Sequence, residues 1–254
     1  MKLIDAFIFY NEEKMLDFRL DYYKDIVDYF VIVEARQTFS GKEKKLHFEE
    51  IKEKYSHLPI IHYVIDTFPD SENAWSREHY QRQCIKNGLE LIPDLEDNDW
   101  VLISDVDEIA DRNKLCMFKY PNDQSKGYIL EFDMYYYNLT CKMEKKWYSV
   151  KICRYSEIKE IPIQNIRFSF RYYMIPQFGW HFSYFFTPEM IKNKIEGFSH
   201  QEYNNENYTN KEYIEDCIQN GKDLFHLDSS RNEKIIRVPI HENTYLPEGY
   251  EYFL

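Results

Sequence analysis

The sequence of 254 residues is short of glycine and proline and contains no long apolar run. Its 7 Gly and 9 Pro, beside 18% aromatic residues, exclude low-complexity disorder. No stretch approaches the ~20 apolar residues that a membrane-spanning helix needs. The 5 cysteines are odd in number and show no CxxC spacing, so neither a disulfide framework nor a zinc knuckle is indicated. We therefore expect a globular chain with a sizeable core.

Basic residues are also in the minority, because 32 Lys and Arg stand against 44 Asp and Glu, and the formal net charge is −12. This balance argues against a protein that coats nucleic acid, since such proteins neutralise phosphates with many cations. The segment Met1-Lys2-Leu3-Ile4 runs directly into a strand pattern and leaves no room for a signal peptide. The sequence therefore predicts a cytoplasmic chain without a membrane span, and it leaves the oligomeric state open.

The first half of the chain alternates strand and helix patterns. Apolar runs predict strands at 5–10, 29–33, 60–65 and 100–104. Asn11 is placed to cap a first helix, and a longer helix is expected at 74–92. Because the strand patterns are continuously apolar rather than alternating, both faces of the sheet are expected to be covered. We predict an α/β fold with a mostly parallel central sheet and helices on both faces.

The second half is rich in aromatic residues. Two long strands, interpreted as antiparallel, are expected at 128–139 and 147–155, and residues 161–186 are interpreted as strand and loop. Thr187-Pro188-Glu189 is typical of a helix start, with an N-cap, a proline at the first position and an early acid. Beyond about residue 200 the chain is polar, with a short helix expected at 211–219, and we interpret it as a wrapping tail.

An acidic cluster, Asp105-Val106-Asp107-Glu108, follows the predicted strand at 100–104. Alternate residues of an extended segment point the same way, so Asp105 and Asp107 can converge on one hard cation. Ligands of open α/β sheets bind beyond the carboxyl ends of the strands, where this pair is expected to lie. A solvated acidic turn is the alternative, because an isolated DxD occurs by chance in many chains.

The position of the cluster narrows its interpretation. Directly after a first strand, a DxD would indicate a HAD-type phosphatase, in which Asp105 forms a phosphoenzyme. Here three strand–helix units precede it. That order is expected when a nucleotide-binding half comes first and the acids hold its diphosphate through Mn²⁺ or Mg²⁺, as in GT-A glycosyltransferases.

Six short blocks occur in a fixed order between about residues 5 and 200. They are Asp5-Ala6-Phe7-Ile8-Phe9-Tyr10-Asn11-Glu12, Val27-Asp28-Tyr29-Phe30-Val31-Ile32-Val33-Glu34, Thr38-Phe39-Ser40-Gly41-Lys42, Trp75-Ser76-Arg77-Glu78-His79-Tyr80-Gln81-Arg82, Ile103-Ser104-Asp105-Val106-Asp107-Glu108-Ile109, and Gly179-Trp180-His181 with Thr187-Pro188-Glu189. Together they resemble glycosyltransferase family 17. The resemblance implies one GT-A-like domain over 1–254, with a nucleotide-binding half at 1–110, an acceptor and metal half at 111–200, and a C-terminal extension at 201–254.

The resemblance also implies an activity, the metal-dependent, inverting transfer of a sugar to a hydroxyl of a glycan. The implied donor is UDP-GlcNAc, the implied partners are this nucleotide sugar and a glycan acceptor, and the implied cofactor is Mn²⁺ or Mg²⁺. Aromatic residues such as Trp147 and Trp180 could stack on sugar rings, although aromatic core is the alternative for them. UDP-glucose or UDP-galactose as donor, and a non-catalytic sugar-binding module on the same fold, are the alternative functions.

Four positions in the first half are candidates for holding the nucleotide. Asn11 and Glu12 end the first strand, where GT-A folds hold the base and the ribose. Glu34, at the end of the second strand, could accept from a ribose hydroxyl or from the uracil N–H. Lys42, in its glycine-containing loop, could approach a phosphate. A helix cap, a surface salt bridge and a solvated lysine are the respective structural alternatives.

The diphosphate itself needs positive charge in this acidic chain. Arg77 and Arg82 lie on different faces of the predicted helix at 74–92, and we expect at least one of them to contact phosphate. The alternative for Arg82 is an i,i+4 ion pair with Glu78. Asp105 is expected to contact the donor as well as the metal.

The resemblance adds His181 to Asp105 and Asp107 as a third metal ligand. Neutral imidazole suits Mn²⁺, and GT-A enzymes often bring a histidine from the later half to the metal or the diphosphate. A hydrogen-bonded structural histidine is the alternative. His200 is a weaker candidate of the same kind.

An inverting transferase also needs a carboxylate that takes the proton of the acceptor hydroxyl. Glu189, at the start of a helix in the later half, is the position at which GT-A folds usually carry this base. A favourable charge at a helix N-terminus is its structural alternative. Glu202, Asp133 and Glu131 are the other candidates.

Overall fold

The computed structural model describes residues 1–69, 73–120, 124–228, 230 and 233–254. The strands are β1 (Leu3–Ile8), β2 (Tyr29–Ala35), β3 (Ile60–Ile65), β4 (Trp100–Asp105), β5 (Glu108–Ala110), β6 (Gly127–Tyr136), β7 (Cys141–Trp147), β8 (Lys151–Arg154), β9 (Tyr173–Ser183) and β10 (Ile235–Arg237). The α-helices are α1 (Glu13–Tyr23), α2 (His47–Ile51), α3 (Ala74–Gln83), α4 (Ile85–Leu89), α5 (Arg112–Leu115), α6 (Tyr155–Glu160), α7 (Ile163–Arg167), α8 (Pro188–Gly197), α9 (Glu206–Thr209) and α10 (Lys211–Asn220).

The strands form one mixed, ten-stranded sheet in the order β10-β7-β6-β8-β4-β1-β2-β3, with β9 pairing to both β5 and β6. The strands β3, β2, β1 and β4 run parallel to one another. The strands β6, β7 and β8 are antiparallel to theirs, except where β6 runs parallel to β9. The prediction of a mostly parallel sheet is therefore wrong beyond β4. Only a few residues join β6 to β7, whereas a parallel connection needs a dozen or more.

Helices cover both faces of the sheet, as the continuously apolar strands predict. Leu3 and Phe7 of β1 pack into a core that includes the buried face of α1. Ile4 and Ala6 point the other way and pack into a second core that includes α4 and α7. A third apolar cluster joins the far end of β6 to α8 and α10.

Local signals place most boundaries well. The strand at 60–65 and the helix after Thr187 are confirmed, and the Thr187 hydroxyl accepts from the Met190 amide at 3.4 Å. The helix expected at 74–92 is divided at Cys84 into α3 and α4. Residues 161–186, interpreted as strand and loop, contain the additional helix α7, and the strand expected at 147–155 ends in α6.

One buried cation fixes the backbone of the acidic cluster. Arg19 of α1 is fully buried, and its guanidinium binds both carboxylate oxygens of Asp5, at 2.8 and 2.5 Å. The same guanidinium donates to the backbone oxygens of Asp105 at 3.0 Å and Glu108 at 2.7 Å. Charged hydrogen bonds of this kind are about twice as strong as neutral ones. Arg19 therefore ties α1 and β1 to the turn that follows β4.

We predict that Arg19→Met lowers the free energy of unfolding by ~3–5 kcal/mol, because Asp5 is left buried without its counter-ion. Urea unfolding followed by circular dichroism measures this change. Arg36→Met is the matched control, since the Arg36–Asp66 pair is exposed and such pairs contribute about 1 kcal/mol or less. Equal losses in the two variants would contradict the structural role of Arg19.

Candidate active site

A cavity of about 460 Å³ lies at the carboxyl ends of β1, β2 and β4. Its charged lining consists of Glu12, Lys44, Glu78, Arg82, Asp105, Asp107, Arg167, His181, Lys194 and His200. Its aromatic lining consists of Phe9, Tyr10, Phe39, Trp75, Trp147, Phe168, Tyr184 and Phe198. Both the size and the mixture of rings with converging charges are typical of a small-molecule site. The position is the one where open α/β sheets bind their ligands.

Asp105 ends β4 between two arginines. Arg82 binds its carboxylate through Nη2 at 2.9 Å, and Nη2 of Arg167 lies 3.2 Å from the same oxygen. Burial alone would raise the pKa of Asp105, but Arg167 and Arg82 outweigh burial and hold that pKa below its ordinary value. A carboxylate neutralised in this way is a poor nucleophile, which disfavours the phosphoenzyme of a HAD-type phosphatase.

Glu108 is the anchor of the cluster and is fully buried. Arg167 donates to its two carboxylate oxygens through two nitrogens, each at 2.9 Å, and Trp147 donates to it at 2.6 Å. The Asp105 amide donates to the same carboxylate at 2.6 Å. The interpretation of the cluster as a solvated acidic turn is therefore wrong, because Asp107 and Glu108 are buried, Asp105 is partly buried, and each carboxylate has a cationic partner.

Asp107 faces the opposite wall of the cavity. Its carboxylate accepts from Lys194 of α8 at 3.1 Å and lies 3.6 Å from Nε2 of His181. Lys194 also lies 3.5 Å from the Glu12 carboxylate. Burial lowers the pKa of Lys194, but Asp107 and Glu12 outweigh it and raise that pKa above its ordinary value. Lys194 therefore joins α8 to the ends of β1 and β4 as a protonated ammonium.

His181 reaches Asp107 because β9 lies close against β5. Glu108 and His181 are register partners, as are Ala110 and Gly179. A Cβ at Gly179 would meet the Ile109 carbonyl at 2.3 Å, so this approach requires glycine. The His181 ring packs on Trp147 at 4.7 Å, and its buried Nδ1 has no hydrogen-bond partner among the residues that the structure describes.

The site offers few side-chain ligands for a metal ion. Over the described ranges, no three His, Cys, Asp or Glu side chains are grouped closely enough to hold a metal ion. Asp107 and His181 offer one oxygen and one nitrogen 3.6 Å apart, a pair that suits Mn²⁺. The Asp105 carboxylate faces Arg82 and Arg167 instead. The donor set thus fits a metal ion that takes its other ligands from a bound molecule.

Of the two residues near β1 that were predicted to bind the nucleotide, Glu12 lines the cavity and Asn11 does not. Glu12 lines it, and its carboxylate also accepts from the amides of Tyr10 and Asn11, each at 3.1 Å. Asn11 is not among the lining residues. The prediction that Asn11 caps α1 is wrong, since Glu12 occupies the N-cap position and no side chain caps that helix.

Glu34 and Lys42 lie outside the cavity lining. Glu34 is fully buried, and its carboxylate accepts from Lys44 at 2.9 Å and from the His47 amide at 2.6 Å, at the start of α2. Lys42 is exposed. The lysine of this loop that lines the cavity is Lys44, two residues further along.

The two arginines of α3 do face different ways. Arg82 is buried, lines the cavity, and pairs with Asp105 and with Glu78. Arg77 does not line it, and its guanidinium donates to the Phe39 carbonyl at 2.8 Å and packs against Gly41. The i,i+4 pair with Glu78 is therefore present, but Arg82 serves the acidic cluster as well.

The predicted base and its alternatives are absent from the cavity lining. Glu189 is 66% exposed and pairs with Lys211 at 2.9 Å. The physical reason is the direction of α8, whose last turns supply Lys194 and Gly197 to the cavity. Glu189 and Lys194 are five positions apart in the sequence, which corresponds to about 7.5 Å along the helix axis.

The other three candidates have partners of their own. Asp133 is buried against Lys142 and Lys146, while Glu131 accepts from the Gln177 amide at 3.3 Å. The Glu202 carboxylate lies 2.6 Å from Nδ1 of His200, which does line the cavity.

Sequence reasoning missed Arg167 and Lys194. Arg167 lies in a segment that was expected to be strand and loop. Lys194 lies in a helix that was predicted mainly from its N-terminal residues Thr187-Pro188-Glu189. A usable signal for Lys194 existed, because it lies between Ile191 and Ile195 on α8, both of which are buried. No local signal identifies Arg167, whose carboxylate partner Glu108 lies 59 residues away in sequence.

None of the helices in the described part of the chain is both long and apolar enough to cross a membrane.

Comparison with known proteins gives a family. A profile of glycosyltransferase family 17 matches residues 1–231. Proteins of Rattus norvegicus and Homo sapiens named beta-1,4-mannosyl-glycoprotein 4-beta-N-acetylglucosaminyltransferase are each 24% identical over 226 residues, which cover 76% of this chain and 42% of theirs. The chain thus spans about two fifths of the length of these curated relatives.

A solved structure of 2-C-methyl-D-erythritol 4-phosphate cytidylyltransferase from Francisella tularensis aligns with a TM-score of 0.41 and 11% identity. The alignment covers 69% of this chain and 90% of that one, and at this score it supports no assignment. The family profile, in contrast, extends over most of the chain. The chain belongs to glycosyltransferase family 17.

Proposed function

We propose that this chain is an inverting glycosyltransferase that transfers GlcNAc from UDP-GlcNAc to a hydroxyl of a glycan. The observation that carries the proposal is the cavity at the carboxyl ends of β1, β2 and β4, in a chain of glycosyltransferase family 17. The parallel order β3-β2-β1-β4, with the acidic cluster directly after β4, supports a GT-A-like arrangement with the nucleotide half first.

The charge of the cavity suits a diphosphate. The chain as a whole carries a formal net charge of −12, yet the acidic lining is matched by Lys44, Arg82, Arg167 and Lys194. Arginine and lysine are the side chains that bind phosphate groups most strongly. An anionic donor is therefore attracted to this cavity more than to the rest of the surface.

Asp107 and His181 would hold the divalent cation, and a diphosphate would complete its ligands. When bound, Mn²⁺ or Mg²⁺ supplies positive charge for the departing nucleoside diphosphate. Lys194, already 3.1 Å from Asp107, brings a second positive charge to the same point. Asp105 keeps Arg82 in place, since it holds that guanidinium at 2.9 Å.

Aromatic side chains of the cavity lining are suited to bind sugar rings. Trp147, Trp75 and Phe168 line the cavity, whereas Trp180 is 1% exposed and belongs to the core. Sugar rings bind aromatic faces through their apolar C–H groups. Trp147 also donates to Glu108, so its ring is held in one orientation beside His181.

We predict that the purified chain releases UDP from UDP-GlcNAc when a mannose-containing glycan is supplied, and does so faster than from UDP-glucose or UDP-galactose. EDTA should abolish transfer, and Mn²⁺ should restore it at least as well as Mg²⁺. Coupled detection of UDP measures the rates, and proton NMR of the new glycosidic bond reports the configuration, which should be β from the α-linked donor.

In the same assay, Asp107→Asn is nearly isosteric with the wild type and should lose almost all transfer. The matched control is Asp25→Asn, which changes an exposed carboxylate paired with Arg112 and should leave transfer unchanged. Absence of transfer from every donor, or retention of the α configuration, would contradict the proposed function. Higher activity with another UDP-sugar would correct the donor alone.

A separate prediction concerns the diphosphate. Arg82→Gln should raise the Kd for UDP by ~10-fold or more, because one charge-assisted hydrogen bond contributes ~1.5–3 kcal/mol. Arg77→Gln, on the same helix but outside the cavity lining, should have the smaller effect. Isothermal titration calorimetry of both variants measures the difference. An unchanged Kd in Arg82→Gln would assign that arginine to the support of Asp105 only.

A further inference from the structure

Inverting transfer requires a base, and the carboxylates of the cavity are poorly suited to that task. Each has a cationic partner: Glu12 and Asp107 pair with Lys194, Glu78 pairs with Arg82, and Asp105 pairs with Arg82 and Arg167. A carboxylate that is already held by a cation is not placed to accept the proton of an acceptor hydroxyl. The cavity lining also contains two histidines, His181 and His200.

His200 lines the cavity and carries a carboxylate partner outside it. Its Nδ1 lies 2.6 Å from Oε1 of Glu202, and an ionised carboxylate can only accept, so Nδ1 is the donor. Nε2 then carries the lone pair of the neutral ring. It makes no hydrogen bond within residues 1–69, 73–120, 124–228, 230 and 233–254. The His200 side chain is 42% exposed, which leaves it open to a bound acceptor.

The segment that carries this pair is held from several sides. The His200 ring meets the Trp75 ring edge-on at 4.4 Å. The Ser199 hydroxyl donates to Glu78 of α3, and the His200 carbonyl accepts from the Tyr203 amide at 3.0 Å. An imidazole whose neighbours are fixed in this way keeps one orientation toward the cavity.

The second histidine of the lining is placed differently. His181 is 8% exposed, lies beside Asp107, and has a buried Nδ1 that finds no hydrogen-bond partner in the described part of the chain. The position of His181 beside Asp107 is suited to binding the cation and the diphosphate. His200, which is more exposed and has its own carboxylate, suits the acceptor.

We propose that His200 is the general base of the transfer and that Glu202 is a positioning residue, an inference that rests on the proposed function. The proton of the acceptor hydroxyl passes to Nε2 of His200 while the acceptor oxygen forms a bond to the anomeric carbon. The bond between that carbon and the diphosphate oxygen breaks, and UDP leaves with the electron pair. The imidazolium, balanced by Glu202, then releases its proton to solvent.

The titratable groups that face this imidazole come from two elements. Glu202 and Tyr203 belong to the 3₁₀ turn Gln201–Tyr203 that follows it. From α3, Glu78 reaches the segment through Ser199, and the His79 ring lies 6.2 Å from the Trp75 ring. Glu202 is the one among these that touches the ring nitrogen, so it is the residue that orients the imidazole.

The test compares kcat, the Kd for UDP and the pH profile in His200→Gln and Glu202→Gln. His200→Gln should lower kcat by ~10²–10⁴-fold and remove the acidic limb of the profile, the range expected for loss of a general base. Its Kd for UDP should stay close to that of the wild type, which also shows that the variant folds. Glu202→Gln should lower kcat less and move the limb to lower pH, because the ring loses the charge that favours its protonation. Glu202→Asp should recover part of the activity.

The matched control is the exposed pair of His241 and Glu242, 3.6 Å apart and outside the cavity lining. His241→Gln and Glu242→Gln should behave as the wild type. These two variants make the same substitutions in a histidine and a carboxylate that lie in the C-terminal part of the chain.

Near-normal turnover of His200→Gln in an active enzyme would overturn the proposal. Complete loss of the acidic limb in Glu202→Gln would also overturn it, and would make Glu202 itself the base. A large loss of turnover in Glu189→Gln, with His200→Gln unaffected, would return the role to the residue expected from sequence. A wild-type chain that transfers no sugar from any donor would instead overturn the proposed function.

Discussion

Pairing of buried charges around the turn after β4 is the constraint on which the rest of the site depends. Arg19 holds the backbone of this turn through its carbonyl oxygens, and Arg167 holds its side chains through the two oxygens of Glu108. Removing one member of such a network leaves an uncompensated buried charge, which is strongly destabilising. The turn is therefore rigid, and Asp105 and Asp107 face the cavity in fixed directions.

This rigidity has a consequence for chemistry. Asp105 is committed to arginines, whereas Asp107 meets the ammonium of Lys194 and the imidazole of His181. The two acids of one DxD thus have separate tasks in the account given above. In the proposed function, Asp105 would orient a phosphate-binding guanidinium, and Asp107 would serve the cation. Catalytic sites that are held by a shell of supporting contacts need little rearrangement when the substrate binds.

Sequence patterns predicted the parts of this protein that depend on local structure. The strand at 60–65, the Thr187 cap and the helix from residue 211 follow from apolar periodicity and capping, and family blocks placed Asp107 and His181 at one site. The antiparallel pairing of β6 with β8 confirms the interpretation of the strands expected at 128–139 and 147–155, whereas the parallel pairing of β6 with β9 could not be predicted, because it depends on contacts between distant segments. The same holds for the buried setting of Glu34, which accepts backbone amides at the start of α2 instead of facing a nucleotide.

The most direct test of the account is a crystal structure of the chain with Mn²⁺ and UDP-GlcNAc, recorded at a wavelength that reveals manganese by its anomalous signal. The account predicts one manganese peak beside Asp107 and His181, with the diphosphate between that ion and Arg82. Nucleotide bound elsewhere on the chain, or a diphosphate in the cavity with manganese far from Asp107, would contradict it.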